Sequence, residues 1–429
     1  MKRTIKIISV ILTVIMFFSV FSAANPVIAA EVQELTTVNT VENAETENIT
    51  QEDTESESSE SEPQIIGEDE SRRDETTKHF IMSDGSRRAV MYSQPVHYRE
   101  NGKWIDVDNT LTYNEDSESY INKKNSFNVE FKKKFNSENL FSIENEGYTL
   151  SWEYKGSVLR RNFVNAEVEK GKETKNDFSK RTEKVNSKIK YDGFESDCKL
   201  EYIVTGTGVK ENIILNSKTN KNEFEFNITA PNLVLTKNND GGISAKSIDN
   251  TEIFYIPAPF MFDSSNEYSD EVSYKLVEKA NGKYTITVVA NKQWLNDESR
   301  VYPITIDPVI QTKKSKSAIT TTFIASGKPN TNMDDMMDVY IGVESSDYLK
   351  CRALIKFDLP KLNKGDMVVG GALALVQYDS DFYYDSMPDQ QIDAHLIKET
   401  WNASSVTWDN KPEYKSAVYD YSFINRNDE

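Results

Sequence analysis

The chain has 429 residues, a net charge of −19, three histidines and two cysteines. This length allows two or three domains with cores of their own. The acidic balance, without a cluster of Lys and Arg interleaved with aromatic residues, excludes a typical nucleic-acid-binding surface. Two cysteines exclude a disulfide-rich scaffold. We expect Cys198 and Cys351 to be two separate thiols, and a disulfide that joins two domains is the alternative.

The N-terminus has the three parts of a secretory signal peptide. Residues 2–6 carry three positive charges, residues 7–21 form an apolar run, and residues 27–30 (VIAA) are a small-residue cleavage site. The run is shorter than the roughly 20 residues that a membrane-spanning helix needs. We therefore predict that residues 1–30 are a cleaved signal peptide. The product is then secreted and extracellular, with no membrane partner after cleavage.

An acidic segment follows at residues 31–75. It holds 16 Asp and Glu against Arg72 and Arg73, a net charge of −14. Such a composition buries too little apolar surface to offset the chain entropy lost on folding. We predict a disordered acidic linker that acts as a spacer. Subtracting +3 for residues 1–30 and −14 for this linker leaves −8 for residues 76–429.

Residues 76–311 show an apolar period of two, which is typical of half-buried strands. The segments NEFEFNI (residues 222–228) and YTITVVA (residues 284–290) are examples. Asn-Gly turns at residues 101–102 and 281–282 separate such runs in the manner of hairpins. Because no long stretch has a helical period, we predict the all-β class, with β-sandwich domains in series.

Two motifs in this region predict particular strands. In QPVHYRENGKWIDVDNTL (residues 94–111) we expect a hairpin that places Trp104 opposite His97 and Tyr98. In YPITIDP (residues 302–308) we expect the last strand of the region, ended by a proline that cannot donate to the sheet. A polar connector then leads to a second region, residues 317–429.

The C-terminal region also reads as β-structure. Residues 352–359 (RALIKFDL) alternate in a way that predicts a strand with Ala353, Ile355 and Phe357 on its buried face. Residues 371–378 are apolar at odd and even positions alike, so both faces of a strand would be apolar. This pattern predicts a central strand.

Two tryptophans, Trp401 and Trp408, flank a short Ser-Ser-Val loop. Their large rings can pack into the module and pin this loop, which we favour. The alternative is that Trp401 and Trp408 are platforms on which sugar rings stack.

A second set of aromatic residues lacks an apolar partner pattern. Tyr383 and Tyr384 lie between Asp381 and Asp385, where we expect the rings to be exposed. Sugar C–H groups stack on such rings, and carboxylates accept hydrogen bonds from hydroxyls. These residues are our candidates for carbohydrate contact, with a loop folded onto its own module as the default.

Asp334, Asp335 and Asp338, with Asn330 and Asn332, form the densest oxygen cluster of the folded part. Calcium takes six to eight oxygen ligands, which such a loop begins to supply. The spacing is not that of an EF-hand, so a solvated polar loop is the default and a structural calcium site the alternative. We predict no required cofactor.

No motif for catalysis stands out. The three histidines lack metal-ligand spacing, and neither a GxSxG nor an HExxH sequence is present. We therefore predict that the protein is not an enzyme. A pair of carboxylates of the kind used to degrade polysaccharides is the weaker alternative.

Four phrases of residues 317–429 carry a family resemblance. They are PNTN, YIGV, RALIKFDLP and ETWNASSVTWDNKP, which begin at residues 329, 340, 352 and 399. In these phrases the region resembles the DNRLRE domain, or carbohydrate-binding module family 96. The resemblance implies a secreted, non-catalytic β-sandwich module whose partner is a polysaccharide or cell-wall glycan. Because little sequence follows the last phrase, we expect the module to be incomplete and the chain to be an N-terminal fragment.

Residues 76–311 resemble the N-terminal region of secreted wall-associated and Rhs YD-repeat proteins. The phrases that carry this resemblance are GSRRAVMYSQPVHYRENGKWIDVDNTL, KENIIL, IPAPFMFDS and QWLNDESRVYPITIDPVI. It implies a structural or delivery region of a large surface protein. That role is the alternative to glycan binding, and the two are compatible.

Overall fold

The computed structural model describes residues 8–10, 15–22, 63–135, 140–155, 164–169, 183–195, 197–265, 267–312, 319–334, 339–343, 348–357, 366–374 and 390–424. Within these ranges the chain forms 33 strands, one 3₁₀ turn (Glu70–Arg72) and one helix, α1 (Lys292–Asn296). The prediction of an all-β fold is confirmed. None of the described residues belongs to a helix of the length and apolarity needed to cross a membrane.

The first seventeen strands are β1 (Ile8–Val10), β2 (Ile15–Ser22), β3 (Ile65–Glu68), β4 (Thr77–Met82), β5 (Arg87–Met91), β6 (His97–Glu100), β7 (Lys103–Asp106), β8 (Asp108–Asn114), β9 (Ser119–Lys124), β10 (Phe127–Lys132), β11 (Lys134–Phe135), β12 (Phe141–Asn145), β13 (Tyr148–Tyr154), β14 (Val164–Glu169), β15 (Ser187–Glu195), β16 (Cys198–Val204) and β17 (Gly208–Leu215).

The remaining strands are β18 (Glu223–Thr229), β19 (Leu233–Lys237), β20 (Ile243–Ser247), β21 (Glu252–Ile256), β22 (Phe260–Asp263), β23 (Tyr268–Ser269), β24 (Val272–Ala280), β25 (Lys283–Ala290), β26 (Ile304–Asp307), β27 (Val309–Gln311), β28 (Ile319–Ala325), β29 (Val339–Val343), β30 (Lys350–Phe357), β31 (Asp366–Ala374), β32 (Gln390–Ala394) and β33 (Asp420–Ile424).

Two large antiparallel sheets form most of the fold. The eight-stranded sheet has the order β24-β25-β18-β13-β12-β10-β9-β8, and the twelve-stranded sheet runs from β11 to β19 with β22, β23 and β26 attached to it. One buried apolar cluster contains residues of both sheets. Tyr202 of the larger sheet lies 5.4 Å from the rings of Phe131 and Phe141 of the smaller one. The two sheets therefore pack face to face as a sandwich.

The alternation read from the sequence corresponds to burial in the structure. Phe224, Phe226 and Ile228 of β18 are buried, whereas the residues between them are only partly buried. Each points into the sandwich because successive side chains of a strand point to opposite faces.

The Asn-Gly hairpin forms, but with a different register from the one predicted. Asn101 and Gly102 have positive φ angles of 50° and 79°, which suit the two central positions of a tight hairpin turn. A two-residue turn at this point pairs Glu100 with Lys103, so Trp104 lies opposite Arg99 and not opposite His97 and Tyr98. The Arg99 guanidinium lies 4.6 Å from the Trp104 ring centroid.

Three predicted boundaries differ from the structure. Residues 63–75, assigned to the disordered linker, include β3, which pairs with β4, and the 3₁₀ turn. Pro308 does not end the sheet, because β27 follows it and pairs with β17. Strand β31 is not central, since it ends the order β3-β4-β5-β2-β31 among the described residues.

Strands β1 and β2 lie inside the predicted signal peptide. β1 pairs with β29, and β2 lies between β5 and β31. These pairings belong to the uncleaved chain, and cleavage after residue 30 would remove them. Cleavage itself stays a prediction.

Cys198 and Cys351 are both buried and form no disulfide. The two-thiol prediction for this pair is therefore confirmed. Packing of the sheets, and not a covalent link between these residues, then holds the fold.

A carboxyl group is buried in the large sandwich. Glu211 of β17 has no exposed surface, and the Tyr202 hydroxyl donates a 2.6 Å hydrogen bond to its Oε1. Burial raises the pKa of Glu211 to about 8, because it penalises the charged form. At neutral pH the folded state therefore holds this proton, whereas an unfolded chain releases it.

Replacing Glu211 by Gln should flatten the dependence of stability on pH. A carboxyl whose pKa is raised by folding stabilises fully below its unfolded pKa of about 4 and loses this contribution as the pH rises toward the folded value. Between pH 5 and pH 8 we expect the wild-type free energy of unfolding to fall by at least about 1 kcal/mol relative to Glu211→Gln. Urea denaturation at both pH values measures this difference, with the exposed Glu223→Gln as control. Equal pH slopes for wild type and Glu211→Gln would contradict it.

Candidate functional site

Two motifs of the C-terminal region dock onto each other. The Asn332 side-chain amide, in the PNTN phrase, donates to the carbonyls of Ala403 and Val406 at 2.6 and 2.7 Å. The Asp409 backbone N–H donates to the Pro329 carbonyl at 3.0 Å. The loop that carries Trp401 and Trp408 is therefore held by the loop that begins at residue 329.

The tryptophan loop is also braced from within. The Val406 N–H donates to the Asn402 carbonyl at 2.9 Å. The Asn410 side chain accepts from the Thr407 N–H at 2.6 Å and donates to the Ser405 carbonyl at 2.9 Å. The Asn402 side-chain oxygen accepts from the Ser404 N–H at 3.1 Å, so the short side chains of both asparagines satisfy backbone groups of this loop.

This loop covers one face of the β28–β30 pair. Ile324, Leu354 and Val406 form a buried cluster, and both tryptophans pack against it while staying half-buried. The opposite face of the pair packs a second cluster that includes Phe323 and Cys351. The predicted buried face of β30, with Ala353, Ile355 and Phe357, is only half-buried, whereas Leu354 on the other face is buried.

Cations lie over the rings on the loop side of β30. The Arg352 guanidinium lies 5.1 Å from the Trp408 ring centroid and 5.2 Å from that of Tyr414. Lys356 Nζ lies 5.4 Å from the Trp401 ring centroid. Arg352 and Lys356 are exposed and lie on one side of the strand with Leu354 between them. We call Arg352, Lys356, Trp401, Trp408 and Tyr414 the cation–aromatic face.

Two further exposed tyrosines follow Tyr414 in the sequence. Tyr414 is 40% exposed, and Tyr419 and Tyr421 are each 57% exposed. Lys415 Nζ donates to the Tyr419 hydroxyl at 3.0 Å. None of these three tyrosines was predicted from the sequence as a site residue. The criterion used for Tyr383, an aromatic ring outside an apolar alternation, would have found them.

Most of the other predicted site residues lie outside the part of the chain that the structure describes. Tyr383, Tyr384, Asp381 and Asp385 lie outside the described residues, and so do Asp335 and Asp338. The Asp334 N–H donates to the Asn332 side-chain oxygen at 3.2 Å. The described residues contain no group of three His, Cys, Asp or Glu side chains that could hold a metal ion. The calcium site stays a prediction, as does the sugar contact of the two tyrosines.

The N-terminal region contains a separate ionic cluster beside an open cleft of about 990 Å³. Arg73 pairs with Glu68 at 2.6 Å and with Asp106 at 3.2 Å. Lys78 contacts Asp106 and lies 3.1 Å from Nε2 of His97.

His97 of this cluster has a fully buried side chain. Burial, and secondarily the charge of Lys78, lowers the pKa of His97 to about 4, so the ring is neutral at pH 7. Its Nδ1 lies 2.6 Å from the Asp74 carbonyl and donates to it. The cluster therefore ties β4 to the β6–β7 hairpin, and its histidine is shielded from any molecule in the cleft.

Removing the Asn332 side chain should loosen the tryptophan loop. Asn332→Ala leaves the carbonyls of Ala403 and Val406 without their donor, which costs about 1 to 3 kcal/mol for such a part-buried group. We expect faster hydrogen exchange at the backbone N–H groups of residues 402–410, measured by mass spectrometry on the full chain. Asn330→Ala, an exposed residue of the same loop, is the matched control. Unchanged exchange in Asn332→Ala would show that the loop holds itself.

Comparison with known proteins finds one family that matches part of the chain. Residues 312–428 match carbohydrate-binding module family 96. No solved structure shows a significant match.

Curated relatives match over a wider part of the chain. The tRNA3(Ser)-specific nuclease WapA of Bacillus spizizenii and the tRNA nuclease WapA of Bacillus subtilis are each 26% identical over 371 residues, which is 82% of this chain. The chain spans only 15% of the length of these two relatives. A wall-associated protein of Geobacillus stearothermophilus is 26% identical over 210 residues, 48% of this chain and 79% of that protein. Residues 312–428 are therefore similar to carbohydrate-binding module family 96, in a chain that is similar to wall-associated proteins.

Proposed function

We propose that this chain is a secreted bacterial surface protein that binds polysaccharide through the cation–aromatic face and does not itself catalyse a reaction. The carbohydrate-binding module supports the ligand class, and the similarity to a wall-associated protein supports the cell-surface location. The signal-like N-terminus supports secretion.

The position of Arg352 between two rings carries the proposal. Trp408 and Tyr414 offer aromatic surface on which the C–H groups of a sugar can stack. The guanidinium that contacts both rings is itself exposed, so it can pair with a carboxylate or phosphate of a bound chain. Further positive charge lies over neighbouring rings: Lys411 over Trp408, Lys356 over Trp401 and Lys415 over Tyr419. We therefore favour an acidic polysaccharide over a neutral one.

A second role is compatible with this one. The similarity to the WapA proteins extends over 82% of this chain, well beyond the module. We propose that the large sandwich serves as a structural or delivery region of a wall-associated protein. The nuclease activity in the names of those relatives is not part of the proposal, since the chain spans 15% of their length. A polysaccharide-degrading activity remains the weakest candidate, because no observation favours it.

Truncating Tyr414 should weaken binding without unfolding the protein. Losing one stacking ring costs about 1 kcal/mol, which corresponds to about a fivefold loss of affinity. Isothermal titration with a panel of acidic and neutral polysaccharides measures the loss for Tyr414→Ala. Tyr113→Ala is the matched control, because Tyr113 is 38% exposed, has Lys133 4.4 Å from its ring centroid, and lies in the large sandwich. If both variants bind as tightly as the wild type, the cation–aromatic face is not the binding site.

Charge removal should discriminate between ligand classes. Arg352→Gln loses a charge-assisted hydrogen bond worth about 1.5 kcal/mol, so we expect about tenfold weaker binding of acidic polysaccharide. Binding by the wild type should also weaken as salt screens the charges. Lys328→Gln is the control, because Lys328 lies over Tyr348, away from this face. An equal loss for neutral polysaccharides, without salt dependence, would refute the acidic preference.

A further inference from the structure

A lysine and an aspartate face each other on neighbouring strands of the large sandwich. Ile213 of β17 pairs with Ile306 of β26, and Lys210 pairs with Val309 of β27. Extending this register by one residue puts Asp307 opposite position 212 of β17. Asp307 therefore lies two positions along the strand from Lys210, on the same face of the sheet. Lys210 Nζ lies 2.6 Å from Asp307 Oδ2. The amine and the carboxyl are thus already in contact.

The Asp307 carboxyl is fully buried and poorly solvated by its neighbours. Its side chain has no exposed surface. Apart from Lys210, no donor among the described residues makes a hydrogen bond to either carboxylate oxygen. The next residue, Pro308, has no N–H to offer. Phe260, on the strand that flanks Asp307 on its other side, places its ring centroid 6.0 Å from Lys210 Nζ.

Such a site penalises the ionised form of the acid. Burial raises the pKa of Asp307 to about 6, although the neighbouring Lys210 opposes this rise. A buried carboxyl and an amine 2.6 Å apart are the two groups that condense to an amide. Condensation would also remove both charges from a site that satisfies them badly.

We propose that Lys210 and Asp307 condense to a side-chain amide that covalently joins β17 to β26. Transfer of one proton from the Lys210 ammonium to the Asp307 carboxylate first gives a neutral amine and a neutral carboxyl group. The Nζ lone pair then attacks Cγ of Asp307, the Nζ–Cγ bond forms, and the Cγ–OH bond breaks. The departing hydroxyl leaves with one proton of the amine as a water molecule. No oxidant, reductant or co-reactant is needed. The Lys210 side chain is 21% exposed, so solvent can carry the proton and receive the released water.

The position of this bond gives it a mechanical consequence. β26 and β27 are the strands through which the large sandwich connects to the module of residues 312–428. Tension on the module would pull on β27 and then on β26. A covalent link at Asp307 would pass this load to β17, a central strand of the twelve-stranded sheet. The proposal does not rest on glycan binding.

Peptide mapping of the full chain tests the link directly. After digestion with trypsin, we expect a branched peptide in which Lys210 is uncleaved and joined to the peptide that contains Asp307, lighter than the two separate peptides by one water molecule. Intact mass should show the same deficit. Lys210→Arg keeps the positive charge but has no primary amine, so its mass deficit should vanish. Its unfolding transition should occur at a lower denaturant concentration.

Lys188 provides the internal control. Its Nζ lies 3.2 Å from Glu201 on the same sheet, but the Glu201 side chain keeps some exposed surface, unlike the side chain of Asp307. Lys188→Arg should retain the deficit. Cleavage after Lys210 in folded wild-type protein, with separate unmodified peptides, would overturn the proposal and leave an ordinary ion pair. A deficit that persists in Lys210→Arg would also overturn it, since the water would have been lost elsewhere.

Discussion

Burial of aromatic side chains between two antiparallel sheets is the interaction on which the larger part of this chain depends. Phe131 and Phe141 lie stacked 5.1 Å apart on one sheet, and Tyr202 of the other sheet contacts both. Each such ring removes about 150 to 250 Å² from water, and the contacts between rings add a directional contribution. A chain of this length without a disulfide needs a core of this kind to offset its conformational entropy.

The same core explains why polar groups inside it matter. Tyr202 brings a hydroxyl into the sandwich, and Glu211 accepts its hydrogen bond. Because the Glu211 carboxyl is fully buried, it keeps its proton and so avoids the free-energy cost of a buried charge. Asp307 lies in the same sheet with no exposed surface, yet its partner is a cation. The pKa values of these two carboxyls of one sheet therefore differ because their neighbours differ.

Local features of this fold could be predicted from the sequence, and longer-range ones could not. The alternation in β18 and the Asn-Gly turn are determined by residues within a few positions of each other. The pairing of Trp104 was wrong because a two-residue turn, not the similarity of side chains, determines hairpin register. Strand β27 was not predicted, because Pro308 was expected to end the sheet. A proline removes the hydrogen-bond donor at one position only, and the strand after it still pairs with β17.

The candidate site shows the same limit. The two tryptophans were identified from their spacing, but Arg352 over Trp408 joins residues that are far apart in the chain, and no local pattern indicates it. Asn332 contacts the tryptophan loop through two carbonyls, which the PNTN phrase alone does not reveal. The exposure of Tyr414 likewise depends on which rings the fold covers.

Trp401 and Trp408 lie on a loop, so their positions depend on the hydrogen bonds that hold this loop. A loop can hold rings in a fixed array only if its backbone groups have partners, since solvent would otherwise compete for them. Here the Asn332 side chain reaches from the neighbouring loop, and the side chains of Asn402 and Asn410 act within it. β30 supplies the cations from a rigid strand beneath. The rings can therefore be exposed without being mobile, so a bound polysaccharide would lose little affinity to ordering the protein.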